Sequence, residues 1–380
     1  MRIETANFSR GKGWSTDSLP ALDSERTIVF AFGASDFIEN SEPIASLRGS
    51  FPEAKIVGCS TSGEILGDSI TDGTLVVAAV KLDRTDVGTA EARVTSAGDS
   101  FAAGKRIASD LFRPGLRCVL VLSDGLNVNG SDLVRGLNSV LPDRVVVTGG
   151  LAGDGDRFKR TWVIAGGEPR TNLVTAVGLY GDHVRVGHGS KGGWDIFGPE
   201  RKVTRSEGNV LFELDGRPAL ELYKEYLGAR AAGLPATALL FPLALRSGPS
   251  DQKTLVRTVL SIDEARQSMT FAGDIPNGCL AQLMRANFER LIDGASDAAQ
   301  LAKSTGAENG SDVLAIAISC VGRRLILGER AEEEIEAALD VLPRGTKQIG
   351  FYSYGEISPY ASGHCDLHNQ TMTLTTLTEG

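Results

Sequence analysis

The segment "GFYSYGEISP", residues 350–359, combines side-chain types that bind ligands and transfer protons. On an extended strand, Tyr352, Tyr354 and Glu356 point to one face, because successive side chains of a strand alternate between two faces. Two phenols and a carboxylate offer hydrogen bonds and aromatic surface, as small-molecule pockets do. The alternative interpretation is that both tyrosines are half-buried core residues and that Glu356 anchors a loop by accepting backbone N–H bonds.

A second copy of this loop pattern lies nearer the N-terminus. "GCSTSGEI", which contains Ser60 and Glu64, has the same spacing Gly-x4-Gly-Glu-Ile. Two other glycine-rich segments, "GGLAGD" and "FAGDIP", contain Asp154 and Asp274. An aspartate in such a position most often closes its own turn, and neither segment continues into the Gly-Lys-Ser/Thr of a phosphate-binding loop. The residues predicted to bind a ligand are Ser60, Glu64, Asp154, Asp274, Tyr352, Tyr354, Glu356 and His368.

Two histidine-containing segments could bind a metal. His188 lies in "GHGSKGGWDIFGP", where Trp194 and the next phenylalanine could cover a haem whose iron binds the imidazole. His364, Asp366 and His368 share one face of an extended strand and form a two-histidine, one-carboxylate set. A histidine in a loop such as that of His188 is more often solvated or caps a turn, and His368, beside Asn369 and Gln370, equally suits a hydrogen-bonding strand end. Haem at His188 is therefore a conditional prediction, and no metal site is assigned.

The five cysteines are widely spaced and form no CxxC pair, which predicts reduced thiols rather than disulfides or structural zinc. Cys59 lies on the first glycine loop, but a nucleophilic cysteine needs a base within reach, and a buried, inert thiol is the commoner case. We therefore predict a binding protein rather than an enzyme. The alternative is a thiol- or metal-dependent hydrolase that uses Cys59 or the face formed by His364, Asp366 and His368.

The elements that must position these residues follow a repeated order. Stretches that begin near Thr27, Cys118 and Val313 each read as strand, helix, strand, loop, strand. A partial copy is predicted between the second and third stretches, with a helix over residues 280–292 whose apolar side chains form one stripe. The predicted fold is α/β, with two related modules of mixed β-sheet covered by helices. The predicted segments are a lead segment 1–26, a module 27–220 and a module 221–380.

Composition excludes several classes of protein. The chain has 39 basic and 48 acidic residues, a net charge of -9, whereas nucleic-acid and anionic-membrane surfaces need concentrated Lys and Arg. Eighteen apolar residues never run together, and the first residues have no apolar core of signal-peptide length. These features predict a cytoplasmic protein that binds neither nucleic acid nor membrane.

The motifs together resemble the FIST family. "GCSTSGEI", "GGLAGDGDRF", "EGNVLFELDGRPALELY" and "GFYSYGEISP" with "HNQTMTLTTL" follow the order of its N-terminal and C-terminal modules, from about Thr27 to Thr378. The resemblance implies a sensory, ligand-binding role, because family members are attached to or encoded beside histidine kinases, diguanylate cyclases and chemotaxis receptors. Some stand-alone bacterial members are similar to haem-binding nitric oxide sensors that act on a partner kinase.

For this chain the resemblance implies a cytoplasmic sensor in a two-component or related signalling pathway. Its expected partners are a small-molecule ligand and a signalling protein such as a histidine kinase or a diguanylate cyclase. The cofactor is left unknown, with haem at His188 as the conditional case. No kinase, cyclase or receptor segment is recognisable in the sequence, so we expect the signal to pass by contact with the partner.

Overall fold

The computed structural model describes residues 1–251, 253–303, 312–360 and 363–380. The strands, in chain order, are β1 Arg2–Ser9, β2 Gly13–Trp14, β3 Thr27–Gly33, β4 Lys55–Ser60, β5 Glu64–Leu66, β6 Ser69–Thr71, β7 Thr74–Lys81, β8 Asp86–Arg93, β9 Leu116–Ser123, β10 Val146–Leu151, β11 Val163–Ala165, β12 Glu168–Arg170, β13 Leu173–Tyr180, β14 Val184–Lys191, β15 Asp195–Glu207, β16 Val210–Leu214, β17 Arg217–Pro218, β18 Leu243–Arg246, β19 Leu255–Arg257, β20 Val259–Asp263, β21 Ser268–Phe271, β22 Leu280–Arg285, β23 Leu314–Cys320, β24 Lys347–Ser353, β25 Gly355–Pro359, β26 Cys365–His368 and β27 Met372–Glu379. The helices are α1 Glu42–Ser50, α2 Ser100–Leu111, α3 Gly130–Asn138, α4 Ala219–Leu227, α5 Phe288–Ala302, α6 Val321–Leu327 and α7 Ala331–Val341.

Three repeat units share one topology, which confirms the repeat and the α/β class read from the sequence. Each unit has two parallel strands joined by a helical crossover, and a third strand that pairs antiparallel with the first. These strands are β3, β4 and β7 in the first unit, β9, β10 and β13 in the second, and β23, β24 and β27 in the third. The crossovers are α1, α3, and α6 with α7.

One glycine in each unit explains part of the repeated sequence. Gly58, Gly149 and Gly350 occupy equivalent positions on the second strand of their units. A Cβ atom added at these positions would lie 1.8, 1.9 and 1.8 Å from a carbonyl oxygen of the neighbouring strand. Any side chain there would push the two strands apart, so glycine is required by close backbone approach.

Each unit also passes a pair of adjacent strands, β5 with β6, β25 with β26 or β11 with β12, to the sheet of another unit. β5 of the first unit pairs with β24, β25 of the third unit pairs with β10, and β11 of the second unit pairs with β4. Backbone hydrogen bonds close these three crossings, with N···O distances of 2.8 Å from Ser62 to Tyr352, 3.2 Å from Tyr354 to Leu151 and 2.9 Å from Gly153 to Ser60. The three units therefore form a closed ring.

The inner faces of the three sheets enclose one apolar core. The rings of Phe32, from the first unit, and Phe351, from the third, are 4.7 Å apart within it. Helices cover the outer faces and bury a separate cluster over each sheet: α1 over the first, α2 and α3 over the second, α5 and α7 over the third. Among the described residues, none of the helices is both long and apolar enough to cross a membrane.

A fourth sheet is inserted between the second and third units. Its strands follow the order β19-β18-β22-β15-β16-β21-β20, with β17 beside β16, and all their described pairings are antiparallel. The predicted partial copy of the repeat is therefore wrong. The predicted helix over residues 280–292 is also wrong in its first half, which is β22, because Leu283 pairs with Leu243 of β18. α5 starts at Phe288, where the Asn287 side chain accepts the N–H of Arg290.

The predicted boundary between residues 220 and 221 is not a boundary between sheets. β5 and β14 lie in the sheet of the third unit, and β15 pairs with β22 in the fourth sheet. Both predicted modules are sheets covered by helices, but they exchange strands. The division of the chain at this residue remains a prediction.

Candidate ligand-binding site

Glu64 and Glu356 make the same set of hydrogen bonds in two different units. Oε1 of Glu64 accepts from the Thr61 hydroxyl, and Oε2 accepts from N and Oγ1 of Thr74 at 3.0 and 2.8 Å. In the third unit, a serine hydroxyl donates to Oε1 of Glu356 at 2.6 Å, and N and Oγ1 of Thr371 donate to Oε2 at 3.3 and 2.9 Å. Each carboxylate thus ties the strand that crosses to another sheet, β5 or β25, to the start of the third strand of its own unit, β7 or β27.

Both carboxyl groups are closed off from solvent. The exposed fraction is 1% for Glu64 and 0% for Glu356. Burial raises the pKa of Glu64 to about 7 and the pKa of Glu356 to about 8, although the hydrogen bonds act in the opposite direction. This geometry matches the loop-anchoring interpretation rather than a direct contact with a ligand.

The two tyrosines of the opening segment point to different units. The Tyr352 hydroxyl donates to Oε1 of Glu334 at 2.8 Å in the core of the third unit. The Tyr354 hydroxyl donates to Oδ1 of Asp154 in the second unit. The chain leaves β24 and enters β25 at Tyr354, so the segment is not one continuous strand. The expectation that Tyr352, Tyr354 and Glu356 share a single face is therefore wrong.

Asp154 closes the equivalent loop of the second unit. Its Oδ2 accepts the N–H groups of Lys159 and Arg160, each at 2.9 Å. Burial raises the pKa of Asp154, but the bonds from Tyr354 and from these two backbone groups outweigh it and the pKa is lowered. We call Glu64, Asp154 and Glu356 the ring carboxylates, because each lies within two residues of a strand crossing. Phe158 stacks on the Tyr354 ring at 4.4 Å and covers the loop from outside.

Cys59 and Ser60 lie at the end of β4 and are both 0% exposed. Burial raises the pKa of the Cys59 thiol well above its usual value. The Ser60 hydroxyl oxygen accepts the N–H of Trp162 at 3.0 Å. All five cysteines are unpaired and buried. This environment does not favour a reactive thiolate at Cys59.

The histidine and aspartate set near the C-terminus is not assembled into a metal site. Its members have separate partners: Nδ1 of His364 is 3.0 Å from Asp143, Oδ2 of Asp366 is 2.6 Å from Nζ of Lys253, and Nε2 of His368 is 2.9 Å from the Ser358 carbonyl oxygen. Burial lowers the pKa of His368 to about 4. Within the described ranges, no group of three or more His, Cys, Asp or Glu residues is placed to hold a metal ion.

His188 lies in strand β14, opposite Thr375, rather than in a glycine-rich loop. It lines a groove of about 610 Å³ together with the cationic side chains of Arg185, Lys191 and Lys303. The expected apolar cover is elsewhere, because the buried Trp194 indole donates to a backbone oxygen of the β26–β27 loop at 2.8 Å and packs in another cluster. The surroundings of His188 therefore do not fit a haem.

A cavity of about 720 Å³ opens where α3, β26 and the fourth sheet meet. Ser131 and Asn138 of α3, Asp366 of β26 and Asp274 of the loop after β21 all line it. Nδ2 of Asn129, the residue that caps α3, donates to Oδ1 of Asp274 at 3.1 Å and joins the two sides. The volume is in the range of about 300–1,000 Å³ that small-molecule sites occupy. Of the residues predicted to bind ligand, the one in this cavity is Asp274.

The cationic side chains of the cavity fall into two kinds. Three of them have an acidic partner: Arg135 pairs with Asp132, Arg246 with Glu200 at 2.5 Å, and Lys253 with Asp366 at 2.6 Å. The fourth, Arg257, is the most deeply buried, with 4% of its surface exposed. In the part of the chain that the structure describes, no carboxylate lies within ion-pair distance of Arg257.

Backbone oxygens hold the Arg257 side chain in place. Its Nε donates to the Asp274 carbonyl oxygen at 3.1 Å, and its Nη1 donates to those of Val256 and Leu367 at 3.1 and 3.0 Å. Burial lowers the pKa of Arg257 to about 10. The guanidinium therefore remains charged at neutral pH.

Sequence reasoning missed Arg257 although the sequence contained a signal. The arginine interrupts "TLVRTVL", an otherwise apolar segment that reads as a strand. Arginine is rarely buried completely unless it is paired. A charged residue inside a predicted buried strand is therefore a reason to look for its partner. The segment "TLVRTVL" itself contains no acidic residue that could serve as that partner.

Comparison with known families gives the class of the protein. The FIST N domain matches residues 27–217, and the FIST C domain matches residues 219–359. The chain therefore belongs to the FIST family, as the motifs indicated. FIST domains are sensory modules of signalling proteins.

Similar proteins add distant relatives without an assigned role. The chain is 26% identical over 346 residues to uncharacterized protein Rv0628c of Mycobacterium tuberculosis, covering 87% of this chain and 85% of that protein. It is 24% identical over 364 residues to uncharacterized protein MJ1623 of Methanocaldococcus jannaschii, covering 82% and 65%. Among solved structures it is similar to cyanuric acid hydrolase from A. caulinodans, with a TM-score of 0.35 and 8% identity over 93% of this chain and 89% of that one. That score is too low to bear on fold or activity.

Proposed function

We propose that this chain is a sensory protein that binds a small ligand in the cavity between α3, β26 and the fourth sheet. The observation that supports this proposal is the origin of the cavity walls. α3 belongs to the segment matched by the FIST N domain, whereas β19 and the Asp274 loop belong to the segment matched by the FIST C domain. A ligand there contacts both segments at once.

This position also suggests how binding produces a signal. A ligand shifts a conformational equilibrium only if it binds the two states with different affinity. A ligand that contacts both α3 and the fourth sheet has higher affinity for the state in which these two walls are correctly spaced. We propose that the resulting change is recognised in the cytoplasm by a signalling partner such as a histidine kinase or a diguanylate cyclase.

The other predicted versions of the function have less support. A haem-based nitric oxide sensor needs apolar cover at His188, and the described neighbours of His188 in its groove are mainly glycine and charged residues. A hydrolase needs either an accessible thiolate or an assembled metal set, and Cys59 is fully buried. We therefore propose binding rather than catalysis.

Ligand screening with a blocked cavity tests the proposal. The purified chain is screened against a metabolite library by thermal shift, and compounds that stabilise it are measured by isothermal titration calorimetry. Ser247→Trp places a large side chain at the exposed rim of the cavity and is expected to weaken binding at least about tenfold. Ser18→Trp, at an exposed serine of the lead segment, is the matched control and should bind normally.

Two results would contradict the proposed function. If the same compounds bind Ser247→Trp and the wild type equally, the ligand site is not this cavity. If no compound of a broad library stabilises the wild type, the sensory role at this site fails.

A further inference from the structure

We propose that the cavity takes a small organic anion, whose carboxylate or phosphate group binds the guanidinium of Arg257. This inference rests on the proposed function of the cavity and adds the chemical class of its ligand.

The first step of the argument is the geometry of the arginine. Three backbone oxygens fix Nε and Nη1, so the guanidinium plane is held before any ligand arrives. Nη2 takes part in none of these three bonds, and Arg257 is one of the residues that line the cavity. A guanidinium has five N–H donors in a planar fork that matches a carboxylate or phosphate. A side chain held in this way loses little entropy when it binds an anion.

The second step is the charge of the surroundings. Carbonyl oxygens satisfy hydrogen bonds of Arg257 but do not neutralise it, and an unneutralised buried charge is unfavourable. The nearby acids have other donors: Asp366 pairs with Lys253 at 2.6 Å, and Asp274 accepts from Asn129 at 3.1 Å. A ligand that brings its own negative charge removes this imbalance, whereas a neutral or cationic ligand does not.

The third step compares Arg257 with the other cations of the cavity. Arg135, Arg246 and Lys253 each lie beside an acid, so an incoming anion would have to compete with that acid. They are also more exposed than Arg257, so solvent screens them more strongly. Of the four cations, Arg257 is therefore the one that should attract an incoming anion most strongly.

The test uses calorimetric titration of the full chain with defined probes. The probes are succinate, inorganic phosphate and succinamide, which has the skeleton of succinate without its charges. We expect saturable binding of one anion per chain for succinate or phosphate, and at least about tenfold weaker binding of succinamide, since charged hydrogen bonds are the stronger kind. Arg257→Gln should weaken anion binding at least about tenfold. Arg48→Gln removes one exposed charge from α1 and is the matched control.

A second variant keeps the test valid if Arg257→Gln does not fold. Asp366→Asn removes the acid that neutralises Lys253, so the cavity gains one unpaired cation. We expect this variant to bind the anions more tightly, by about threefold or more, as the added attraction acts at short range. A cavity that takes no anion predicts no such gain.

The outcomes separate this inference from the proposed function. If neither succinate nor phosphate binds, or if succinamide binds equally well, the anion assignment is overturned. Unchanged anion affinity in Arg257→Gln and in Asp366→Asn overturns it as well. If neutral compounds bind and Ser247→Trp blocks them, the cavity remains the ligand site while its ligand is not an anion. If Ser247→Trp blocks nothing, the proposed function itself fails.

Discussion

The ring carboxylates and the cavity around Arg257 use buried charge in opposite ways. Glu64, Asp154 and Glu356 accept hydrogen bonds from their own chain, and these bonds hold the loops where strands pass between sheets. Arg257 is also held by its own chain, but its charge has no acidic partner among the described residues. Repetition explains the difference. A motif that recurs in each unit serves what every unit needs, namely closure of the ring, whereas the cavity lies where the fourth sheet interrupts the repeat.

The largest expected effect is on the ring. In Gly350→Ala the new Cβ would lie 1.8 Å from the Ala317 carbonyl oxygen, so β23 and β24 cannot keep their register. We expect a loss of more than about 4 kcal/mol in the free energy of unfolding, measured by urea denaturation. Gly49→Ala in α1 has no atom within 4 Å of its new Cβ and should be stabilising by about 0.5–1 kcal/mol. Equal unfolding midpoints for the two variants would contradict the close-approach argument.

The next effect is the pH dependence of stability through Glu356. Its pKa rises from 4.5 in the unfolded chain to about 8 in the folded protein. Between pH 4.5 and about pH 8, the native state therefore keeps a proton on Glu356 that the unfolded state has released. The free energy of unfolding therefore falls as pH rises through this window, by up to about 1.4 kcal/mol per pH unit for this group. Glu356→Gln cannot release a proton, and its stability should fall less steeply over the same range.

The control for this pH experiment is Glu336→Gln, at an exposed glutamate of α7. It should keep the wild-type slope in urea denaturation between pH 5 and 8, since the buried Glu356 and Glu64, and not this exposed glutamate, cause the pH dependence in this window. A Glu356→Gln slope identical to the wild type would mean that this carboxyl group is already ionised throughout.

A smaller effect sharpens the distinction between closure and binding. Tyr354→Phe removes the hydroxyl that donates to Asp154, which still accepts two backbone N–H bonds. We expect a cost of about 1–2 kcal/mol in the free energy of unfolding and no change in succinate or phosphate affinity.

Arg257→Lys should have the opposite effect. It should lower the affinity for the anions more than it lowers the stability of the fold, because lysine keeps the charge but lacks the planar fork of N–H donors. Anion binding that depends on Tyr354 would join the two regions into one site.

The smallest expected effect concerns haem. Titration of haem into the wild type and into His188→Ala should give no saturable Soret band in either protein, because most of the residues that line the groove with His188 are glycine or charged. Absorbance spectra measure this directly. One haem per chain, lost in His188→Ala, would restore the haem-sensor prediction.

The sequence predicted the repeat units because their signals are local. Alternating apolar strands, helical spacing and glycines at equal intervals arise within one unit, and the strands with these signals formed as expected. The exchange of β5, β25 and β11 could not be predicted, since each pairs with a strand far away in the sequence. The same limit explains β22, where pairing with β18 outweighed an apolar spacing typical of a helix.

The site was predicted only in part for a related reason. Glu356 and Asp154 were found by their motifs, but a motif does not show whether a carboxylate faces a ligand or its own backbone. Asp274 was found by its glycine, and it lies in the cavity. Arg257 has no motif, and its importance comes from the fact that neither nearby acid, Asp274 or Asp366, forms an ion pair with it, which is a property of three-dimensional packing.

The strand exchange also sets the order in which the molecule can be completed during synthesis. β24 follows its partner β5 by about 280 residues, so at about 5–20 residues per second the first unit waits roughly 15 to 60 s on the ribosome for the strand that receives β5. During that time β5 can pair with β6 on one side but has no partner on the side that β24 will occupy, and the second sheet lacks β25. We expect newly made chains of this family to need protection of these edges until translation ends.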